Sequence, residues 1–287
     1  HPVKGCSRLT GAWLLVLAMP SPTLAVAPVP LNPRSDTHLV NVGQELNSGP
    51  VALVVSTPGF GDAAYVPLVE AIESEGIDAW LLSFPVEHQQ PDHIIERAIP
   101  GAVHELAQAG RTVGLVGHGL GGTLAAAAAT RGDTVRGPDA IALLGAPLQL
   151  VPSALTGWML HHPIPPGGLN LNDQQEILWE EQPALELLLG EPLPHLERVS
   201  SDWLHALSDW LMTGRTFSLD GLACPAWVGA SGLDNLAPPE SVRPFAGPAT
   251  FERFGLQHFD PHVPDHADLL RDEHSTRVLA RWLKRVL

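Results

Sequence analysis

Val51-Ala52-Leu53-Val54-Val55-Ser56 is a continuous apolar run rich in β-branched residues, the pattern of a strand buried on both faces. Similar runs follow at 78–83 (stopped by Pro85), 112–116, 139–144 and 225–230, and the sheet is predicted to resume again at 249–254. Amphipathic stretches alternate with the first four of these runs. Helices are predicted near 63–75, over 92–109, with Pro91 near the first turn and Gly110 after the end, and over Leu120–Thr130 with its alanine run. The chain closes on a helix near 275–286 that puts Val278, Leu279, Trp282 and Leu283 on one face. A β-α-β-α-β-α-β order predicts an α/β domain: a mostly parallel sheet, right-handed crossovers and helices on both faces.

The rhythm breaks over about 147–220. Proline-rich turns, the pair His161-His162 and helical runs near 173–189 and 200–213 fall there, with Trp158, Trp179, Trp203 and Trp210. A segment this long between two strands carries its own structure, and it reads as a helical lid over the carboxyl edge of the sheet. Its tryptophans either line an apolar pocket or fill the helix–sheet contact.

Before residue 50 the pattern is different. Lys4 and Arg8 precede an apolar core over 11–19, and small residues follow at Ala25 and Ala27. That is the form of a signal peptide over 1–27, so export to the periplasm or beyond is expected; the alternative is a cytoplasmic chain with an apolar extension. The core is too short to span a bilayer stably. Residues 28–49, proline-rich and polar at the start, read as a linker and lead-in, and 50–287 as the domain.

Composition narrows the partners. With 45% hydrophobic and 16% charged residues the chain is an ordinary globular one, and its formal charge of −15 disfavours nucleic acid and anionic membranes. Of the two cysteines, Cys6 lies in the leader, and Cys224, before Pro225, reads as a buried structural thiol.

Four motifs carry the candidate chemistry. Leu115-Val116-Gly117-His118-Gly119-Leu120-Gly121-Gly122 sits between a strand and an alanine-rich helix. It has both outer glycines of the strand-to-helix turn Gly-x-Ser-x-Gly, with Gly119 at the centre, where the attacking serine would be. Thr57-Pro58-Gly59-Phe60-Gly61-Asp62 follows the first core strand. Gly229-Ala230-Ser231-Gly232-Leu233-Asp234 precedes Pro238-Pro239, and Asp265-His266-Ala267-Asp268-Leu269-Leu270 precedes the last helix.

In this order the motifs resemble the α/β-hydrolase fold superfamily, esterases and lipases in particular, over most of 50–287. The resemblance implies that fold with a lid insertion. It implies Asp234 as the acid that orients a catalytic base, His266 as that base, and the backbone N–H groups of Phe60 and Leu120 as oxyanion-hole donors. Pro58 stands where the family usually has histidine. Asp234 also reads as a residue capping its own turn. His258 and His262 are the alternative bases. Their four-residue spacing with His266 is that of a metal site, but Pro261 and Pro264 break the helix it would need. No metal and no cofactor are expected.

Gly119 supplies no Oγ, so no acyl-enzyme forms there. The nearest hydroxyls in sequence, Thr123 and Ser231, belong to other turns, and His118 points away from the site by turn geometry. The elbow position is held at strained positive φ, which costs a non-glycine residue about 1–3 kcal/mol, so glycine fits the fold while removing the reaction. Three readings follow. The chain is a degenerate hydrolase, without ordinary serine-hydrolase activity, that binds a small apolar or acyl ligand or a protein partner. Or it is an active enzyme using a His266–Asp234 base without a serine nucleophile. Or it is an ordinary serine esterase or lipase altered at residue 119.

Overall fold

The computed structural model describes residues 29–30, 38–41, 49–84, 90–131, 136–150, 200–243, 245–255 and 263–287. They form an eight-stranded sheet in the order β1-β2-β4-β3-β5-β6-β7-β8. The strands are β1 (Val29–Pro30), β2 (His38–Asn41), β3 (Val51–Val55), β4 (Asp78–Ser83), β5 (Val113–His118), β6 (Ala140–Leu144), β7 (Ala226–Ser231) and β8 (Thr250–Phe254). The last six are mutually parallel. They fall within one or two residues of the runs that predict them. β3 to β7 are buried on both faces and leave near-continuous hydrophobic signals, whereas β8, at the sheet edge, is largely exposed or half-buried.

The sequence predicts a linker and lead-in over 28–49, and the described residues add strands to that stretch. β1 and β2 lie inside it, β2 running antiparallel to β4 with His38 opposite Ser83 and Asn41 opposite Trp80. Pairing there gives the outer backbone edge of β4 its hydrogen-bond partners, a need that no local sequence pattern announces.

Helices cover both faces. On one side lie α1 (Val66–Ser74), entered through a 3-10 turn at Asp62–Tyr65, and the last helix, α7 (Glu273–Val286). On the other lie α2 (Pro91–His93), α3 (Ile99–Gln108), α4 (Gly119–Ala129) and α5 (Ser201–Thr213), while the short α6 (Pro239–Val242) follows β7. Successive residues of β3 serve opposite cores. Val51, Leu53 and Val55 pack with α3, α4 and α5, and Ala52 and Val54 pack with α1 and α7.

Between α2 and α3 the chain makes a π turn at Ile94–Ala98, with the Ile99 N–H donating to the Ile94 carbonyl. Pro100 explains it: proline has no N–H for the carbonyl four residues back, and its ring crowds that carbonyl. The predicted 92–109 helix is therefore one helical stretch interrupted by a wider turn.

Of the expected lid over 147–220, residues 151–199 lie outside the described residues, with Trp158 and Trp179 among them. The described part includes α5, capped by the Ser200 hydroxyl, which accepts from the Trp203 N–H at 3.1 Å, and ended by Gly214 in the left-handed region. Trp203 and Trp210 are buried in the core, edge to face at 5.9 Å, and Trp210 meets Phe217 at 5.3 Å. These two tryptophans fill a packing contact. Among the described residues no helix is long and apolar enough to cross a membrane.

Candidate active site at the carboxyl ends of β3, β5, β7 and β8

β3 pairs with β4 on one side and β5 on the other, so chain order reverses at β3. Open α/β sheets place ligands outside the carboxyl ends of the strands at such a switch point. The four motifs leave the sheet at this edge: Thr57 follows β3, Gly119 follows β5, Asp234 follows β7 and His266 lies beyond β8.

Gly119 opens α4 with φ +55°. The turn is built for close approach. A Cβ at Gly117 would lie 2.4 Å from Gly122 Cα, and one at Gly121 2.4 Å from the Val55 carbonyl oxygen. At Gly119 the space is filled from across the site. A Cβ there would lie 2.8 Å from His266 Nε2, 3.2 Å from its Cε1 and 3.4 Å from Thr57 Oγ1.

His266 and Asp234 meet as a pair, Nδ1 to Oδ2 at 2.8 Å, with side chains 5% and 0% exposed. The second oxygen, Oδ1, accepts from the backbone N–H groups of Leu236 at 3.0 Å and Ala237 at 2.6 Å. Asp234 therefore does both things its sequence context allowed: it caps its turn and it holds the imidazole. The carboxylate only accepts, so Nδ1 carries the proton of this pair, and Nε2 is the ring nitrogen turned toward Gly119.

Four residues that the sequence reading passed over or set aside hold this arrangement. Gly145, just past β6 with φ +55°, leaves room for the pair, since a Cβ there would sit 2.9 Å from Asp234 Oδ2 and 3.5 Å from His266 Nδ1. The Ser231 hydroxyl donates to the Pro264 carbonyl, fastening the His266 loop to β7. The His118 side chain, expected to point away, packs its ring 4.4 Å from that of His266 and shares a 2.9 Å hydrogen bond with the His266 carbonyl. A carbonyl only accepts, so Nε2 of His118 is the donor and Nδ1 is bare, buried without a partner. Burial, with the His266 imidazole beside it, holds His118 well below the ordinary imidazole range.

Thr57 is the fourth. Its hydroxyl donates to the His118 carbonyl at 2.9 Å and accepts from the Gly121 N–H at 3.0 Å, capping α4. Its own N–H donates to the Tyr65 hydroxyl at 2.7 Å, and burial pushes that phenol up to about 12. Thr57, not Thr123 or Ser231, is the hydroxyl found beside residue 119: Thr123 donates to Pro147 and Ser231 to Pro264. Position directly after a central strand was the available signal for both Thr57 and Gly145, since strand carboxyl ends line this edge.

The expected oxyanion donors stand differently. The Leu120 N–H lies in the first turn of α4, where amides have no intrahelical acceptor. The Phe60 N–H donates to the Thr57 carbonyl at 3.0 Å and closes its own turn. His258 and His262 lie outside the described residues. Among the described residues no group of three or more His, Cys, Asp or Glu side chains is placed to hold a metal ion.

No protein-family model matches the sequence, and no curated protein matches it. Solved structures do match. A lipase-esterase related protein from Clostridium acetobutylicum superposes with a TM-score of 0.56 at 14% identity, covering 88% of this chain and 100% of its own. An α/β hydrolase fold protein from Nakamurella multipartita gives 0.56 at 16%, covering 92% and 99%. A monoacylglycerol lipase from Paleococcus ferrophilus gives 0.53 at 18%, covering 83% and 97%. The strand order, the parallel register and these likenesses agree: the chain has the α/β-hydrolase fold.

Proposed function

We propose that this protein binds a small apolar or acyl ligand at the Gly119–His266–Asp234 site and lacks ordinary serine-hydrolase activity. The observation that carries the reading is the position of His266 Nε2, 2.8 Å from where a Cβ of residue 119 would stand. Gly119 supplies no nucleophile, and the imidazole occupies the space beside the missing side chain. The Phe60 N–H, engaged with the Thr57 carbonyl, is not free to meet an oxyanion in this conformation. The ligand class follows from similarity to a monoacylglycerol lipase and a Burkholderia xenovorans enol-lactonase, the latter with a TM-score of 0.54.

The test compares the unaltered chain with Gly119→Ser on short and medium acyl esters and with a fluorophosphonate label. Serine requires His266 to withdraw by a few tenths of an ångström, which a loop-borne side chain can do. Fast turnover and labelling at residue 119 are expected in the variant alone, and equally fast turnover by the unaltered chain would refute the proposal.

A second reading is favoured by the intact 2.8 Å pair between His266 and Asp234. A buried imidazole with an oriented lone pair is a competent general base toward water, a hydroxyl or an acidic C–H. On this reading a slower reaction persists in the unaltered chain and disappears with His266→Ala.

A further inference from the structure

Asp234 and His266 meet from two different loops, one after β7 and one beyond β8, 32 residues apart in the chain. One side-chain oxygen is bonded to both loops. Ser231, the last residue of β7, is fully buried, and its hydroxyl donates to the Pro264 carbonyl in the His266 loop. The same oxygen accepts from the Leu233 N–H at 3.3 Å in the Asp234 loop. Pro264 stands two residues before His266, and Leu233 is the immediate neighbour of Asp234. With the 2.8 Å contact from Nδ1 to Oδ2, these bonds close a ring. It runs from Ser231 Oγ through Pro264 to His266, across to Asp234, and back through Leu233. Other contacts hold one loop at a time. The Leu236 and Ala237 amides fix Asp234 Oδ1 within its own turn. The Leu269 N–H donates to the Asp265 carbonyl, and His118 Nε2 donates to the His266 carbonyl. Ser231 Oγ instead holds the two loops against each other.

We propose that Ser231 is a positioning residue of this site: its hydroxyl clamps the two loops in the register at which the His266 imidazole meets the Asp234 carboxylate. The inference deepens the reading of the site given above and rests on it in taking the Asp234–His266 pair as the working part. Hydrogen bonds weaken steeply as their geometry degrades, so a small slip between the loops is felt at the pair. Removing the hydroxyl leaves the carbonyl of the buried Pro264 without this donor and the Leu233 N–H without this acceptor. Both groups then gain by moving toward other partners, which pulls the loops apart. Ser231 touches neither ring nor carboxylate, and its effect on the pair passes through the backbone of the two loops.

The experiment is proton NMR of the full chain, reading the low-field Nδ1–H resonance of His266, assigned by its loss in His266→Gln, and the rate at which that proton exchanges with water. Ser231→Ala is expected to broaden the resonance and to speed exchange by on the order of 10-fold or more. Ser231→Thr keeps the hydroxyl and should stay within a few-fold of the unaltered chain. Ser231→Cys, close in size with a weaker donor, should fall between, and it reads the clamp if Ser231→Ala does not melt cooperatively. Ser241→Ala is the control for a merely structural serine. That residue is also buried and also donates to a proline carbonyl, of Pro238 at 2.8 Å. Its loss should lower Tm and leave the His266 proton unchanged. An unmoved resonance in folded Ser231→Ala, or in Ser231→Cys if only that variant folds, overturns the proposal, and so does an equal change in Ser241→Ala. Absence of the resonance from the unaltered chain overturns the pair and the clamp together. The two failures are distinct: fast ester turnover by the unaltered chain refutes the ligand-binding reading, and an unmoved resonance refutes the clamp.

Discussion

Gly145→Ala tests how tightly the site is built. The added methyl would stand 2.9 Å from Asp234 Oδ2, 2.9 Å from Leu269 Cδ1 and 3.5 Å from His266 Nδ1. It would do so at φ +55°, a conformation that alanine adopts only with about 1–3 kcal/mol of strain. The carboxylate cannot retreat freely, because Oδ1 is held by the Leu236 and Ala237 amides. Weakening a buried hydrogen bond to a charged group adds roughly 1.5–3 kcal/mol. The expected destabilisation is about 2.5–6 kcal/mol, which at roughly 2–4 °C per kcal/mol for a domain of this class lowers Tm by on the order of 10 °C. Denaturant unfolding measures the energy, and the downfield proton resonance of the His266 Nδ1–H reads the pair directly. Gly101→Ala is the contrast: nothing lies within 4 Å of a Cβ there and the residue is in α3, so a gain of about 0.5–1 kcal/mol is expected. If Gly145→Ala costs less than about 0.5 kcal/mol and leaves the resonance in place, the close-packed picture of the acid–base pair is wrong.

Acid should expose His118. Its pKa is depressed in the fold, so below the unfolded value near 6.5 the unfolded chain binds the extra proton, and this contribution to stability is lost as pH falls. The slope reaches at most about 1.4 kcal/mol per pH unit, and His118→Phe should flatten it in denaturant titrations between pH 6.5 and 5. Alkali addresses Tyr65, the single tyrosine of the chain. Its folded pKa of about 12 lies above the unfolded value near 10, so stability holds below pH 10 and is lost as pH rises toward 12, about 3 kcal/mol in all. Phenolate absorbance follows this group alone, and its appearance in the folded protein near pH 10 would contradict the complete burial of the Tyr65 ring that raises its pKa. Arg111→Met removes donors to Gly49, Pro50 and the fully buried Asp78 carboxylate. A loss of about 3–5 kcal/mol is expected, largely relieved by adding Asp78→Asn in a double-mutant cycle.

The parallel sheet was legible because its central strands are buried on both faces and read as apolar runs, as β3 and β5 do. β1 and β2 were not, since short edge strands in a proline-rich stretch owe their existence to β4, a partner about 40 residues away. Asp234, His266 and Gly119 could be nominated because their motifs follow one another in a familiar order along the chain. Thr57 and Gly145 carried only the weaker signal of lying just past a central strand, because what makes them matter is proximity between the ends of strands apart in sequence, and distance in sequence pointed to Thr123 and Ser231. Trp203 and Trp210 carried two readings that composition alone could not separate, and burial in the core decided between them.

The hydrogen bond between His118 and the His266 carbonyl joins residues 148 apart in sequence, and Thr57 reaches His118 across 61. Such contacts repay their loop-closure entropy only once the intervening strands are in place, and non-local pairing of this kind slows folding. The acid–base pair is therefore a reporter of kinetic completion. During refolding its Nδ1–H resonance should emerge with the last docking event, after β8 and α7 have closed on the central strands, and a chain stalled before that step would hold much of its helix and sheet with no site at all.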